Sequence, residues 1–254
     1  MAQSIWQRVG GGENLLEWAG EPWRVVEAQH RISTRKLVDS DEEQGLLEGL
    51  LDGVKPPVPA DPGFAKLHYL LATPFRHPPL RHGSRFGSWT ERSLFYGSER
   101  PETAFAEVAY YRLLFLADSE AALAPLMVEL TAFRAVVASE RGIDLTTGAF
   151  EGFRGSLVSR SSYRVTQALG REMREDGVEL FRYESARDPE RGANVGIFAP
   201  GVFQRNRPRG PRTWYCVADE EAVEFSRKNY FKHGVHRFER GVFLVRGRLP
   251  KVGS

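Results

Sequence analysis

The stretch Pro101–Leu116, PETAFAEVAYYRLLFL, constrains the fold more than any other part of the chain. Pro101 suits a first helical turn, and Glu99 and Glu102 stand where the positive end of a helix dipole favours acids. Beyond that turn the only charges are Glu107 and Arg112. Ala104, Phe105, Val108, Ala109, Leu113, Phe115 and Leu116 cover most of the cylinder. A helix that is apolar nearly all round is buried, so the fold must close over it with Glu107 inside. A carboxylate is costly to bury unless it is paired. Glu107 is therefore either the partner of an arginine or a functional acid.

At ~150 residues per domain, 254 residues allow one large domain or two small ones. Hydrophobic residues make up 41 % and aromatics 11 %, enough for a core and too much for a disordered chain. No apolar run approaches the ~20 residues that cross a bilayer. The opening MAQSIWQRVGGGENLLEW lacks a signal-peptide pattern, and the single cysteine, Cys216, forms no intrachain disulfide and no cysteine-built metal site. A cytoplasmic protein is expected.

The net charge of +2, from 35 Lys and Arg against 33 Asp and Glu, is not that of a typical nucleic-acid binder. Its distribution is uneven. Leu37–Val54 carries six acids and no base, whereas Ser226–Lys251 carries eight bases and one acid. Such runs are solvated surface, or the basic end meets an anionic ligand or partner. Arg205–Arg212 holds four arginines in eight residues without the interleaved aromatics of a base-stacking surface.

Periodicity predicts helices over about 41–51, 101–116 and 161–175. It predicts strands over 94–96, 126–138, 178–183, 194–198 and 214–217, with a last strand or hairpin over 236–245. The order is not a regular βαβ alternation, so the class is α+β: one domain with a mixed or antiparallel β core flanked by helices. The acidic helix and the proline-rich loop 55–63 precede the central block, and a basic extension, 226–254, follows it.

Three further residues draw attention. Arg85 lies in His82-Gly-Ser-Arg-Phe-Gly87, where flanking glycines let the backbone approach a ligand and a guanidinium makes a good phosphate clamp. Ser185 follows a predicted strand in Tyr183-Glu-Ser-Ala-Arg-Asp188, where its hydroxyl binds a ligand or caps a turn. Tyr96 closes the short strand before the buried helix. No phosphate-binding glycine motif, GxSxG elbow or HExxH is present, and the six histidines have no metal-ligand spacing, so no metal is expected.

The block PFRHPPLRHGSRFGSWTERSLFYGSERPETAFAEVAYYR, residues 74–112, resembles the RES-domain family of toxins from bacterial RES–Xre toxin–antitoxin pairs. Arg85, Tyr96 and Glu107 fall eleven residues apart in succession, and Ser185 matches the family's serine in strand–Ser–loop–Asn order, ahead of Asn194. A second family arginine maps onto Arg24. The 61 residues from there to Arg85 and the basic C-terminus depart from compact members.

The resemblance implies an ADP-ribosyltransferase-like fold and cleavage of NAD+ at the nicotinamide–ribose bond, with water or inorganic phosphate as co-substrate and no separate cofactor. It implies Glu107, Arg85, Tyr96 and Ser185 as catalytic residues, and Arg85, Tyr96, Arg24 and Ser185 as NAD-binding residues. It also implies an Xre-type antitoxin partner and a homodimer, with no membrane or direct nucleic-acid role. The chemistry fits one carboxylate. Nicotinamide is a cationic pyridinium in NAD+ and departs neutral without a general acid, so the usual glycosidase pair reduces to a single acid. Protein ADP-ribosylation is the alternative activity. A nucleic-acid-binding module using 205–212 and the basic C-terminus is the alternative from another class.

Overall fold

A computed structural model describes residues 3–28, 40, 43, 56, 59–77, 79, 81–119, 125–227 and 234–251. The acidic helix expected over 41–51 lies outside the described residues except at position 43. So do positions 55, 57 and 58 of the proline segment and positions 228–233 and 252–254 of the basic C-terminus.

The described chain is α+β. Five α-helices are α1 (Ile5–Arg8), α2 (Tyr69–Arg76), α3 (Pro101–Asp118), α4 (Arg154–Leu157) and α5 (Arg164–Glu175). Ten strands are β1 (Leu16–Gly20), β2 (Trp23–Glu27), β3 (Phe95–Ser98), β4 (Leu126–Arg134), β5 (Val137–Asp144), β6 (Leu180–Glu184), β7 (Ala193–Ile197), β8 (Arg209–Ala218), β9 (Ala222–Arg227) and β10 (Val235–Glu239). They form one sheet in the order β1-β5-β6-β7-β3-β2-β4-β8-β9-β10, antiparallel except for the β5–β6 pair.

The middle of this sheet is a seam. β3 and β2 share a single residue pair, Trp23–Ser98, whereas β2 and β4 pair along five residues. Three apolar clusters follow from the strand alternation. Phe86, Phe181, Tyr183, Leu169 and Met173 pack under α5, and Phe105, Tyr110, Leu130, Trp214 and Phe225 pack under α3. Phe95, Phe133, Val195, Ile197, Leu71 and Phe75 pack on the opposite face, under α2. The strands diverge at the seam between the α3 and α5 clusters, and the main cleft opens there.

α3 runs as expected, and its first ten residues bury Thr103, Ala104, Phe105, Ala106, Ala109 and Tyr110. Its second half is less enclosed: Tyr111 and Phe115 are each 52 % exposed. α5 starts at Arg164, three residues later than predicted, and ends where Gly177 adopts a φ of +71°. The strand predicted over 126–138 is two strands. β4 ends at Arg134, and at Ala135 and Val136 the chain crosses from one half-sheet to the other. β4 lies between β2 and β8, and β5 between β1 and β6. The C-terminal segment is built into the core: Phe243 and Leu249 are buried in the α3 cluster, and the Tyr110 hydroxyl donates to the Pro250 carbonyl.

α5 meets the Arg85 loop without room for a side chain. A Cβ on Gly170 would lie 2.2 Å from the Phe86 carbonyl oxygen, a backbone atom that cannot swing away. Gly170→Ala is expected to cost about 3 kcal/mol in chemical denaturation, the upper part of the overpacking range. Gly155→Ala meets nothing within 4 Å on α4 and is expected to be neutral or stabilising by up to about 1 kcal/mol.

Candidate active site

A cleft of about 480 Å³ lies over the β2–β3 seam, within the range of small-molecule sites. Arg24, Arg85, Tyr96 and Glu107 line it, with Tyr111, Phe115, Tyr163, Tyr183 and Asn194 around them. The sequence-predicted residues thus converge from β2, the 82–87 loop, β3 and α3.

Glu107 sits on the inward face of α3, partly buried. No arginine pairs with it among the described residues. Its Oε1 instead accepts from Ser185 Oγ at 2.6 Å and from Asn194 Nδ2 at 2.7 Å, and Oε2 has no protein partner there. Ser185, 3 % exposed, directly follows β6 and is not among the lining residues. Its Oγ accepts from the backbone N–H groups of Arg187 and Asp188 at 3.1 and 3.0 Å. Its one hydrogen therefore goes to Glu107. The ligand contact expected of Ser185 gives way to two local tasks: it closes the turn after β6 and holds the acid. Ser185→Ala is expected to lower activity about 10–100-fold and to cost ~1–3 kcal/mol of stability, because two buried N–H groups lose their acceptor. Thermal unfolding and initial rates check both.

Arg85 is 7 % exposed. Both hydrogens of its Nη1 are committed, to the carbonyls of Leu157 at 3.2 Å and Ser159 at 2.9 Å, and its Cζ lies 4.7 Å from the Tyr163 ring centroid. The Nε–Nη2 edge has no protein partner and no carboxylate faces it among the described residues. That edge is the planar fork that matches a phosphate. The loop anchors α4 and α5 through this arginine, which explains its burial.

Tyr96 accepts from the Phe86 N–H at 3.0 Å and meets Ser84 Oγ at 2.9 Å, so its ring is fixed against the loop. Burial pushes its hydroxyl up to about 12, and it stays neutral. Tyr183 is likewise raised, by burial and then by the Glu107 charge.

Arg24 lines the cleft from β2 and is anchored on the α2 side of the sheet. It alternates with Trp23 and Val25 towards the α2 face, its guanidinium 5.0 Å from the Phe95 ring centroid and its Nη1 donating to the Tyr96 carbonyl at 2.7 Å. Its Nε is buried without a partner. Burial lowers its pKa to about 10, which still leaves it charged at neutral pH. It thus brings a positive charge without a carboxylate partner among the described residues to the seam, at the lining of the cleft. Arg112, also a lining residue, is paired with Glu27.

Sequence reasoning gave Asn194 a place in the pattern but no task. The available signal was an amide inside the apolar strand ANVGI, all five residues of which are buried. Ser98 and Tyr163 carried no comparable signal, since their roles depend on strand pairing and loop packing. No group of three or more metal-ligating side chains occurs among the described residues. No helix among them is long and apolar enough to cross a membrane.

A solved structure of the M. tuberculosis MbcT–MbcA toxin–antitoxin complex contains a chain similar to this one. The identity is 15 %, over 83 % of this chain and 91 % of that one, with a TM-score of 0.48. No curated protein matches. The RES domain family model matches residues 61–221, a stretch that holds Arg85, Tyr96, Glu107, Ser185 and Asn194 and excludes Arg24. That match covers more than half of the sequence, and the chain belongs to the RES-domain family.

Proposed function

We propose that this chain is the toxin of a toxin–antitoxin pair and consumes NAD+ by cleaving its nicotinamide–ribose bond. One observation carries this reading. Glu107 is held in the cleft by two neutral donors instead of a cation, and Arg85 presents an unpaired guanidinium edge to the same cleft. An uncompensated acid and an unpaired cation in one site suit a ligand with a developing positive sugar and a negative pyrophosphate.

In this mechanism Arg85 Nε and Nη2 grip the pyrophosphate, and the buried Arg24 charge adds positive potential from the floor. The Tyr96 ring, immobilised through its hydroxyl, gives the nicotinamide a flat surface. The C–N bond breaks with its electron pair moving to the pyridinium nitrogen, so nicotinamide leaves neutral. Glu107 stabilises the cationic ribose and, through the free Oε2, orients the incoming water or phosphate on the anomeric carbon. The nucleophile's proton passes to the carboxylate or to solvent. An Xre-type antitoxin covers the cleft mouth, where Tyr111 and Phe115 expose apolar surface, and the active form is a homodimer.

Intracellular NAD+ after induced expression tests this. Wild type is expected to drain the pool and Glu107→Gln to leave it intact. Equal NAD+ in both strains, with both proteins folded and free of antitoxin, overturns the proposal.

A further inference from the structure

We infer that Asn194 is a positioning residue that orients the Glu107 carboxylate without neutralising it, and that Ser98 fixes the orientation in which the amide does so. Asn194 is 2 % exposed on the cleft side of β7, and Ser98, 3 % exposed, is its direct cross-strand neighbour on β3. Ser98 Oγ donates to Asn194 Oδ1 at 2.6 Å, and Asn194 Nδ2 donates to Glu107 Oε1 at 2.7 Å. The direction of this relay follows from chemistry. An ionised carboxylate only accepts, so the NH₂ must face Glu107 and the carbonyl must face Ser98, whose hydroxyl then donates. Reversing the amide would set Oδ1 against Oε1 with no hydrogen between them.

The choice of an amide has a consequence that an arginine would not share. A guanidinium at this position would hold the acid equally well but cancel its field at the ribose. Two neutral donors, Asn194 and Ser185, hold the carboxylate while leaving its negative charge available. They also occupy the same oxygen, so the other faces the cleft. The role rests on the NAD+ cleavage proposed above.

The remaining titratable and charged groups around Glu107 come from several elements. They are Tyr110 and Tyr111 of α3, Tyr183 of β6, Tyr163, the cations Arg85 and Arg187, and, on the same cleft lining, Tyr96 of β3, Arg24 and Glu27 of β2 and Arg112 of α3. Tyr96, Tyr110, Tyr111 and Tyr183 are all pushed upward by burial and stay neutral near pH 7. Asn194→Asp therefore adds the one new acid that titrates with Glu107. Two carboxyls at this distance share a proton, which raises one of the two pKa values strongly.

The test is the pH profile of kcat/KM for Asn194→Asp, with the Glu107 carboxyl followed separately by ¹³C NMR in the same variant. The acid limb and the Glu107 titration are both expected to move up by at least about one pH unit, with activity partly regained at high pH. Asn194→Ala is expected to lower kcat about 10–100-fold, and Ser98→Ala about fivefold, each with KM within about threefold of wild type. Wild-type titration of Glu107 in a folded Asp variant overturns the inference. So does loss of rate in Ser98→Ala that follows only a rise in KM, a result still available if the Asp variant fails to fold. A shifted Glu107 titration in a protein whose wild type leaves NAD+ intact supports the role of Asn194 and instead rejects the cleavage activity.

Discussion

Glu107→Gln is expected to lower kcat for NAD+ cleavage by about 10²–10³-fold, the loss typical when one preorganised electrostatic contact to a developing charge is removed. The substitution isolates charge from shape. Glutamine has the same length, and its carbonyl can accept the Ser185 and Asn194 hydrogens that Glu107 Oε1 accepts. Stability is therefore expected to change by less than about 1 kcal/mol, and KM by less than about threefold, because the pyrophosphate grip is untouched. Initial rates over a range of NAD+ concentrations, with thermal unfolding alongside, separate these quantities. A variant that keeps more than a tenth of wild-type kcat would remove Glu107 from the chemistry.

Arg85 produces the second large effect, and it is of a different kind. Its free Nε–Nη2 edge is assigned to the pyrophosphate, and its Nη1 ties the Leu157 and Ser159 carbonyls to the loop. Arg85→Ala is expected to raise KM for NAD+ about 10–100-fold, the range of a charge-assisted hydrogen-bond loss, and to cost ~1–3 kcal/mol of stability through the stranded carbonyls. Arg85→Lys restores the charge but not the fork, so KM is expected to remain about tenfold high. If lysine restores wild-type KM, a planar grip on phosphate is not what Arg85 provides. Denaturation separates the two losses, since only the binding loss persists in protein shown to be fully folded.

How much of this was legible in the sequence depended on how local each signal was. The α3 helix, its inward-facing acid and the stop of α5 at Gly177 are written in periodicity and a single residue's φ, and both helices are present. Both strands at the N-terminus, β1 and β2, escaped notice. No residue of β1 or β2 is fully buried, so neither strand presents a strong apolar face. α2 was hidden by Pro74 in its interior. The division of the run 126–138 into β4 and β5 is set by which neighbours each half finds, and nothing local records it.

The site shows the same contrast. Composition around Glu107 offered an arginine partner or a function. The folded chain supplies Ser185, just after β6, and Asn194 of β7, which lie 78 and 87 positions from Glu107 in sequence. Arg24 follows from a resemblance alone, and its anchoring over the Phe95 ring is a consequence of pairing register that one residue's shift would reverse. Ser185 was marked as a residue of interest, but its task depends on the turn that it closes.

The most direct test of the central claim is a mass balance on purified protein mixed with NAD+, with and without inorganic phosphate, all products followed by chromatography. Free nicotinamide is expected in amounts equal to the NAD+ lost. It is accompanied by ADP-ribose if water is the nucleophile, or by a phosphorylated ADP-ribose formed only with phosphate if phosphate is. Intact NAD+ in both tubes, from folded protein free of antitoxin, would contradict NAD+ cleavage, and label from NAD+ recovered on protein would replace it with ADP-ribosyl transfer.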